Sequence, residues 1–304
     1  MNPNVPFRGV IAYPITPFTA DDAVDVPTYR HLVERLVASG SHAVAPLGST
    51  GVLPYLRDEE REAVTEATVQ QVAGRLPVLV GVSHLTTAGV VRHARFAEQA
   101  GAAAVMVIPM SYWKLTDDEI FRHFDRVASA ISVPIMAYNN PATGGLDMSP
   151  TLLKRLLEIP NVTMIKESSG DVQRMQALRQ LLGEDVAFYN GSNTLALAAL
   201  AAGATGWCTA APNLIPELNL GLYEAVQRQD LAEARQLFYQ QFELLQFIVA
   251  KGLPRAIQAG LQLQGQAAGE LRAPLQPLTE AERQELQRIL DRSHAFARLA
   301  PSPA

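Results

Sequence analysis

Short apolar segments alternate with longer amphipathic segments between residues 10 and 228. The apolar segments are rich in valine, isoleucine and alanine and stop at glycine, proline or polar residues, which is typical of buried strands. In the amphipathic segments the apolar residues return every three or four positions, which predicts helices. The eight predicted strands are residues 10–12, 43–47, 77–82, 104–108, 133–138, 162–166, 186–189 and 205–208.

Polar residues next to the amphipathic segments mark where several helices begin. Thr86 is placed to cap one helix, and Thr116 with Glu119 forms a capping box for the next. Ser149 followed by Pro150 is a common helix start. A weak internal repeat, a helix that ends at glycine about three residues before a strand, occurs at 39–44, 100–105 and 202–207.

The predicted strands are apolar throughout rather than alternating, as expected when both faces of a parallel sheet are buried. Eight strand–helix units predict an α/β fold, a (β/α)8 TIM barrel. The competing doubly wound sheet would usually carry a glycine-rich phosphate loop after its first strand, and none is present. After residue 216 the pattern is helical only. We therefore predict a barrel over residues 1–228 and a C-terminal helical extension over 229–304, packed on the barrel and without a part in the chemistry.

Composition and charge narrow the classes of function. The 304 residues are 48% hydrophobic and 18% charged, with a net charge of −5, so there is no basic footprint for nucleic acid. Cys208 is the single cysteine, which fits a reducing compartment. No signal peptide is evident, and the uncharged stretch 186–216 is broken by glycine, asparagine and proline. We expect a cytoplasmic protein that binds neither nucleic acid nor membranes.

The predicted C-terminal ends of the strands carry one amine, one phenol and several hydroxyl groups. Active sites of (β/α)8 barrels lie at this end. The residues found there are Ser49, Thr50, Tyr138, Lys166, Gly191, Asn193 and Cys208. The six histidines have no metal-ligand spacing, and neither a Gly-x-Ser-x-Gly elbow nor a P-loop occurs. We expect no metal and no cofactor, and the pattern does not favour a metal hydrolase, a serine hydrolase or a nucleotide-dependent enzyme.

Lys166 ends an apolar strand, and two interpretations of it are open. Its stem could lie along apolar surface while the amine reaches water. Alternatively it is buried, where desolvation disfavours the charged form of a lysine and frees a nucleophilic amine. Such an amine attacks a keto carbon to give a Schiff base, whose protonated nitrogen weakens a neighbouring C–H or C–C bond. Tyr138 could then carry protons, and backbone N–H groups of residues 48–51 could hold a carboxylate.

Four short motifs follow one another at the expected strand ends and in the extension. They are Gly48-Ser49-Thr50-Gly51, Tyr138-Asn139-Asn140-Pro141, Ile165-Lys166-Glu167-Ser168-Ser169-Gly170-Asp171 and Lys251-Gly252-Leu253-Pro254. With them the chain resembles, over residues 9–265, the dihydrodipicolinate synthase and N-acetylneuraminate lyase family of pyruvate-dependent class I aldolases.

The resemblance implies a lyase that forms a Schiff base with a small 2-keto acid, normally pyruvate. It implies that Lys166 forms this imine and that Tyr138 relays protons with the help of Ser49. Ser49 and Thr50 would bind the substrate carboxylate. The remaining strand-end residues, Gly191, Asn193 and Cys208, are expected to line the substrate site.

The sequence departs from the family pattern at positions that concern the second substrate. Val52 stands where the first motif usually continues with glutamate. Thr143 stands where the synthases carry an arginine that binds the carboxylate of the second substrate. The absence of this arginine argues against dihydrodipicolinate synthesis. Thr143 is still expected to contact the substrate. Asn193 and Thr194 replace the Asp-Glu pair of sialic acid lyases. By resemblance the protein is a homo-oligomer, a tetramer, in which Tyr112 of a neighbouring subunit completes the relay.

Three hypotheses about function are open. The first is aldol cleavage or condensation with pyruvate. The second uses the same lysine imine to remove water or ammonia from a hydroxylated 2-keto or cyclic imino acid. The third is a barrel that binds a metabolite without turnover, for which a nucleophilic amine is unnecessary.

Overall fold

The computed structural model describes residues 7–183 and 185–297 and contains one sheet of eight parallel strands. The strands are β1 Gly9–Ala12, β2 Ala43–Val44, β3 Leu79–Gly81, β4 Ala104–Val107, β5 Ile135–Asn139, β6 Val162–Glu167, β7 Ala187–Asn190 and β8 Gly206–Thr209. Their order in the sheet is β2-β1-β8-β7-β6-β5-β4-β3. The Val44 N–H donates to the Pro77 carbonyl at 3.1 Å, so β2 also meets the chain at the start of β3. The prediction of a (β/α)8 barrel is confirmed.

Helices surround the barrel and continue after its last strand. They are α1 Val26–Ala38, α2 Asp58–Val72, α3 Thr87–Ala100, α4 Asp117–Ala128, α5 Pro141–Gly144, α6 Pro150–Leu156, α7 Val172–Leu182, α8 Ala196–Ala201, α9 Pro216–Gln227, α10 Leu231–Lys251, α11 Leu253–Leu263 and α12 Glu280–Ala297. The predicted caps form: Thr86 accepts from the Gly89 N–H, and Thr116 and Glu119 make the reciprocal capping box. Ser149 accepts from the Leu152 N–H at 3.1 Å.

The second strand ends earlier than the sequence predicts. It was predicted over residues 43–47, but only Ala43–Val44 is a strand because Leu47 adopts a left-handed conformation with φ 58°. The Leu47 carbonyl then lies against Gly81, where a Cβ would come within 2.0 Å of it. Only glycine at position 81 tolerates this approach. The early end of β2 turns the chain into the segment that carries Ser49 and Thr50.

The strands form the centre of the core. All residues of the eight strands are buried except Thr163, which is partly buried. Large side chains such as Trp207, Tyr189 and Phe188 are fully enclosed. A tightly packed interior holds the strand ends, and hence their side chains, in fixed positions.

The C-terminal helices pack against the outside of the barrel. In α10, Gln241 accepts from the Asn219 amide of α9 at 2.6 Å and donates to the Leu218 carbonyl. Farther along, Arg272 forms an ion pair with Glu60 of α2. The division at residue 228 stays a prediction, and residues 298–304 of the predicted extension lie outside the described residues. Within the described part of the chain, none of the helices has both the length and the apolar character of a membrane span.

Candidate active site

A cavity of about 480 Å³ opens at the C-terminal ends of the strands. Its wall contains the predicted site residues Ser49, Thr50, Tyr138, Thr143, Lys166, Gly191, Asn193 and Cys208. Sequence reasoning did not assign a role at the site to Tyr13, Asn140 or Ser168, which also line it. The extension, to which we had assigned packing only, adds Val249, Gly252, Leu253 and Pro254 to the wall. The C-terminal helices therefore shape the site without contributing an ionisable group to it.

Lys166 lies inside the barrel rather than in water. Its side chain is 5% exposed, so the solvent-exit interpretation is wrong. The Nζ atom lies 3.9 Å from the centroid of the Tyr138 ring and 4.2 Å from that of Tyr13. Among the described residues no carboxylate forms an ion pair with this amine. The amine therefore faces aromatic rings and the cavity, where a substrate carbonyl can reach it.

Gly191 makes room for the lysine side chain. A Cβ at this position would lie 2.7 Å from Lys166 Cε and 1.8 Å from Ser168 Oγ. Contacts this short are impossible, so any other residue would displace both side chains. The Ser168 hydroxyl is buried and, by distance, has no hydrogen-bond partner in the described chain, yet it lies close enough to the Tyr138 phenol to help lower the pKa of that group.

Tyr138 pairs with Lys166 across β5 and β6, which places both side chains on the same face of the sheet. Its hydroxyl accepts a hydrogen bond from Asn140 Nδ2 at 2.7 Å, and Ser49 Oγ lies 3.5 Å away. Burial by itself raises the pKa of Tyr138, but the positive charge of Lys166 and these hydrogen bonds outweigh it, so the pKa is below its ordinary value. A phenol with a lowered pKa suits proton transfer near neutral pH.

The turn that follows β2 is compact and leaves backbone donors free. Leu47 and Val52, at its two ends, are both left-handed, with φ 58° and 48°. The Thr16 hydroxyl fixes the turn by donating to the Gly51 carbonyl at 2.9 Å. The N–H groups of Ser49 and Thr50 have no acceptor among the described residues. Free N–H groups in such a turn can bind an anion.

Tyr13 and Cys208 complete the inner wall of the cavity and are both buried. The Tyr13 hydroxyl donates to Met106 Sδ at 3.3 Å. Burial, together with the neighbouring Cys208, raises the pKa of Tyr13 well above its ordinary value. Burial also raises the pKa of the Cys208 thiol, although the charge of Lys166 opposes this. Both groups are therefore neutral at physiological pH, and only Tyr138 is tuned for proton transfer.

Glu167 lies on the opposite face of β6 and stabilises the loops around the site. Its carboxylate accepts from Asn139 Nδ2 at 3.0 Å and from the Ser169 N–H at 2.6 Å. Asn139 in turn accepts from the Met148 N–H at 2.9 Å. Burial raises the pKa of Glu167, and these hydrogen bonds oppose that rise. The network fixes the turns after β5 and β6, from which Thr143 and Ser168 reach the cavity.

Thr143 also lines a second cavity, of about 370 Å³, that shares Ser49 and Tyr138 with the first. Of the residues that the structure describes, none in the wall of this second cavity is charged, and Lys166 is the one charged residue in the wall of the first. Asn193 is buried, and its amide oxygen accepts from the Thr209 hydroxyl at 2.8 Å. In the described part of the chain, neither cavity therefore offers a cation other than Lys166.

Tyr112 is the one predicted site residue that does not join the cavity. It is 90% exposed and packs edge-on against Trp113, which is 77% exposed. Its predicted role depends on a neighbouring subunit and stays a prediction. Residues 7–183 and 185–297 contain no group of three histidine, cysteine or acidic side chains arranged for a metal. The expectations of no metal and no cofactor likewise stay predictions.

The chain is similar to named protein sequences and to solved structures over nearly its whole length. The sequence model of the dihydrodipicolinate synthetase family matches residues 6–293. A 4-hydroxy-tetrahydrodipicolinate synthase from Thermomicrobium roseum is 33% identical over 279 residues, 92% of each chain. The crystal structure of a proposed dihydrodipicolinate synthetase from Pseudomonas aeruginosa has a TM-score of 0.93 and 53% identity, covering 94% of this chain and 99% of the other. A family protein from E. coli K12, solved in complex with pyruvate, has a TM-score of 0.89 and 27% identity, covering 94% and 98%.

Proposed function

Because the chain belongs to the dihydrodipicolinate synthetase family, we propose that it is a Schiff-base lyase in which Lys166 forms an imine with pyruvate or a related small 2-keto acid. The observation that carries this proposal is the position of the Lys166 amine. It is buried at the C-terminal ends of the strands, faces a cavity of about 480 Å³, and has no carboxylate partner among the described residues.

The proposed reaction begins when the neutral amine attacks the keto carbon to give a carbinolamine. Uptake of one proton by the carbinolamine hydroxyl and loss of that oxygen as water then give an iminium ion on the Lys166 nitrogen. In the cleavage direction the C3–C4 bond breaks, its electron pair moves towards the iminium to form an enamine, and an aldehyde leaves. Tyr138 takes the proton of the C4 hydroxyl. The enamine then gains a proton at C3, and water releases pyruvate and restores the amine.

The turn after β2 is the proposed carboxylate site. The free N–H groups of Ser49 and Thr50 can donate to the carboxylate of the 2-keto acid, and their hydroxyls add further donors. Ser49 Oγ also lies 3.5 Å from the Tyr138 hydroxyl, which supports a place for Ser49 in the proton relay. The same residue would then orient the substrate and pass on its proton.

Two experiments test this proposal at the level of the reaction. Screening 2-keto acids for inactivation that requires borohydride identifies the compound that forms the imine, and pyruvate is expected to be the most effective. The dehydratase or deaminase alternative uses the same imine, so trapping does not separate it from the aldolase. Product analysis does, because only the aldolase releases or consumes pyruvate. Absence of inactivation with every 2-keto acid would overturn the proposal.

We further propose that the protein is a cytoplasmic homo-oligomer, a tetramer built from dimers. Large apolar side chains that are exposed in the single chain support this assembly: Tyr112 and Trp113 in the loop before α4, and Tyr239 on α10, 68% exposed. Tyr112 of one subunit would reach the relay of another. Sedimentation at micromolar concentration tests the assembly, and a monomer would contradict both the tetramer and the relay role of Tyr112.

A further inference from the structure

Tyr13 is held rigidly against the amine of Lys166. It follows β1 directly and is 2% exposed, with its ring centroid 4.2 Å from Lys166 Nζ. Its N–H donates to the Thr209 carbonyl at 3.0 Å, and its hydroxyl donates to Met106 Sδ. A Cβ at Gly48 would lie 2.6 Å from the ring, so glycine at this position allows the ring to stay in place. The ring therefore presents a fixed face to the nitrogen.

Among the described residues, the groups that face Lys166 from the packed strands carry no negative charge to balance a cation. Tyr138 on β5 and Tyr13 after β1 present ring faces, and Cys208 on β8 is a buried neutral thiol. The nearest carboxylate in sequence, Glu167, is bound to Asn139 and the Ser169 N–H instead. Aromatic ring faces are negative in electrostatic potential and attract a nearby cation, most strongly where water is excluded.

We propose that the ring of Tyr13, rather than its hydroxyl, stabilises the cationic iminium formed on Lys166. This inference rests on the proposed function. The raised pKa of Tyr13 keeps the phenol neutral and makes it unsuited to proton transfer, in contrast to Tyr138. The two tyrosines thus have different roles. The ring faces of both lie against the charged nitrogen, and the hydroxyl of Tyr138 alone transfers the proton.

The iminium keeps its positive charge on the nitrogen that the two rings face, whereas the carbinolamine before it can be neutral. Conversion of the neutral carbinolamine to the iminium takes up one proton and releases one water. A ring face favours the charged form in this step, so weakening the Tyr13 ring should shift bound pyruvate from iminium to carbinolamine. Loss of a desolvated cation–π contact is expected to change the ratio by about threefold to thirtyfold.

The test replaces Tyr13 by phenylalanine and then by fluorinated phenylalanines, ending with pentafluorophenylalanine. Fluorine withdraws electron density from the ring face while the ring changes little in size. The ratio of iminium to carbinolamine is measured by carbon NMR with [2-13C]pyruvate on the full-length enzyme. With Tyr13→Phe as the reference, we expect the ratio to fall stepwise as fluorine is added. Pentafluorophenylalanine in place of Phe124, a fully buried residue of α4, is the matched packing control and should leave the ratio unchanged.

Two results would overturn the inference, and they are distinguishable. A ratio that stays flat along the fluorinated series, while the wild-type protein forms an imine with pyruvate, removes the role of the ring and leaves the proposed function intact. Tyr13→Leu provides a second measurement. An iminium-to-carbinolamine ratio equal to that of Tyr13→Phe would also contradict a stabilising role of the ring. If the wild-type protein forms no adduct with pyruvate, the proposed function fails and the inference fails with it.

Discussion

The Asn140 side-chain amide donates a hydrogen bond to the Tyr138 hydroxyl oxygen at 2.7 Å. The two residues are separated by Asn139 alone, whose side chain bonds to Glu167 on the other face of the sheet. With the amide donating to its oxygen, the phenol is free to direct its own proton towards Ser49 or a substrate. A donor on this oxygen also stabilises the phenolate, and it contributes to the lowered pKa of Tyr138.

Replacement of Asn140 by valine is expected to raise the pKa of Tyr138, because the phenolate loses a donor. Because Tyr138 accepts a proton in the cleavage direction, the acidic limb of the kcat profile should move to higher pH, and kcat near neutral pH should fall by about tenfold, the loss of roughly one hydrogen bond to a charged group. KM for the 2-keto acid should change little. Asn140→Ser, which keeps a donor, should restore part of the rate. A pH profile identical to that of the wild type would contradict this role of Asn140.

Tyr138→Phe is expected to form the Schiff base but to turn over slowly. The ring next to Lys166 is kept, whereas the acid–base group is lost, and such a loss typically costs about a hundredfold or more in rate. The measurement pairs borohydride trapping with steady-state turnover on the same preparation. Near-wild-type turnover would make Tyr138 a core aromatic residue with a satisfied hydroxyl.

We expect the protein to be a poor dihydrodipicolinate synthase. That reaction must hold the carboxylate of aspartate semialdehyde, for which a bidentate arginine is suited, and Thr143 offers one neutral hydroxyl. No arginine among residues 7–183 and 185–297 lines either of the two cavities that Thr143 borders. Thr143→Arg should raise semialdehyde turnover, and Thr143→Gln, which is shorter and adds a neutral donor, is the control for polarity without charge. A wild-type efficiency above about 10⁴ M⁻¹ s⁻¹, within the usual enzyme range, would contradict this expectation.

Arg272 is expected to be important for stability. It pairs with Glu60 at 2.7 Å and Asp22 at 3.0 Å, and its guanidinium lies 4.1 Å from the centroid of the Phe18 ring. Arg272 and Glu60 are both more than nine-tenths buried. Arg272→Met should lower the free energy of unfolding by about 1–3 kcal/mol, because the buried Glu60 carboxylate loses two hydrogen bonds and keeps only Arg57 as a partner. Chemical denaturation measures this difference.

Two comparisons sharpen the Arg272 prediction. The exposed pair between Arg292 and Glu243 is the control, and Arg292→Met should cost less than about 1 kcal/mol. The hydrogen bond from Arg272 lowers the pKa of Glu60. The ion pair therefore contributes fully to the free energy of unfolding above the ordinary glutamate pKa, and this contribution is lost as pH falls through the lowered value. The difference between wild type and Arg272→Met should therefore shrink in acid. A constant difference would contradict the ion-pair explanation.

Local sequence patterns are sufficient to predict the strands and the residues at their ends. Lys166 and Tyr138 were found because an apolar run stops at each of them, and β5 and β6 then bring the two side chains together in register. The cap at Thr86 was predictable for the same reason, because its partner, the Gly89 N–H, is three residues away. Such features depend only on near neighbours in the chain.

Features that depend on distant contacts could not be read from the sequence. No local pattern marks Tyr13 as a site residue, because its contact with Lys166 joins residues far apart in the chain. The early end of β2 follows from the left-handed Leu47 and its close approach to Gly81, for which no local pattern exists. Likewise, the segment at Gly252 reaches the cavity because of how α10 and α11 pack on the barrel.

The most direct test of the account is trapping of Lys166 by pyruvate and borohydride. The intact mass should rise by one reduced pyruvate adduct, and the modified peptide should contain residues 164–174. Lys166→Arg should show no adduct and no turnover, because guanidinium stays protonated and is not a nucleophile. Lys154→Arg, at an exposed lysine of α6, should be trapped like the wild type. An adduct on another residue, or none with any 2-keto acid, would contradict the assignment of Lys166 as the Schiff-base lysine.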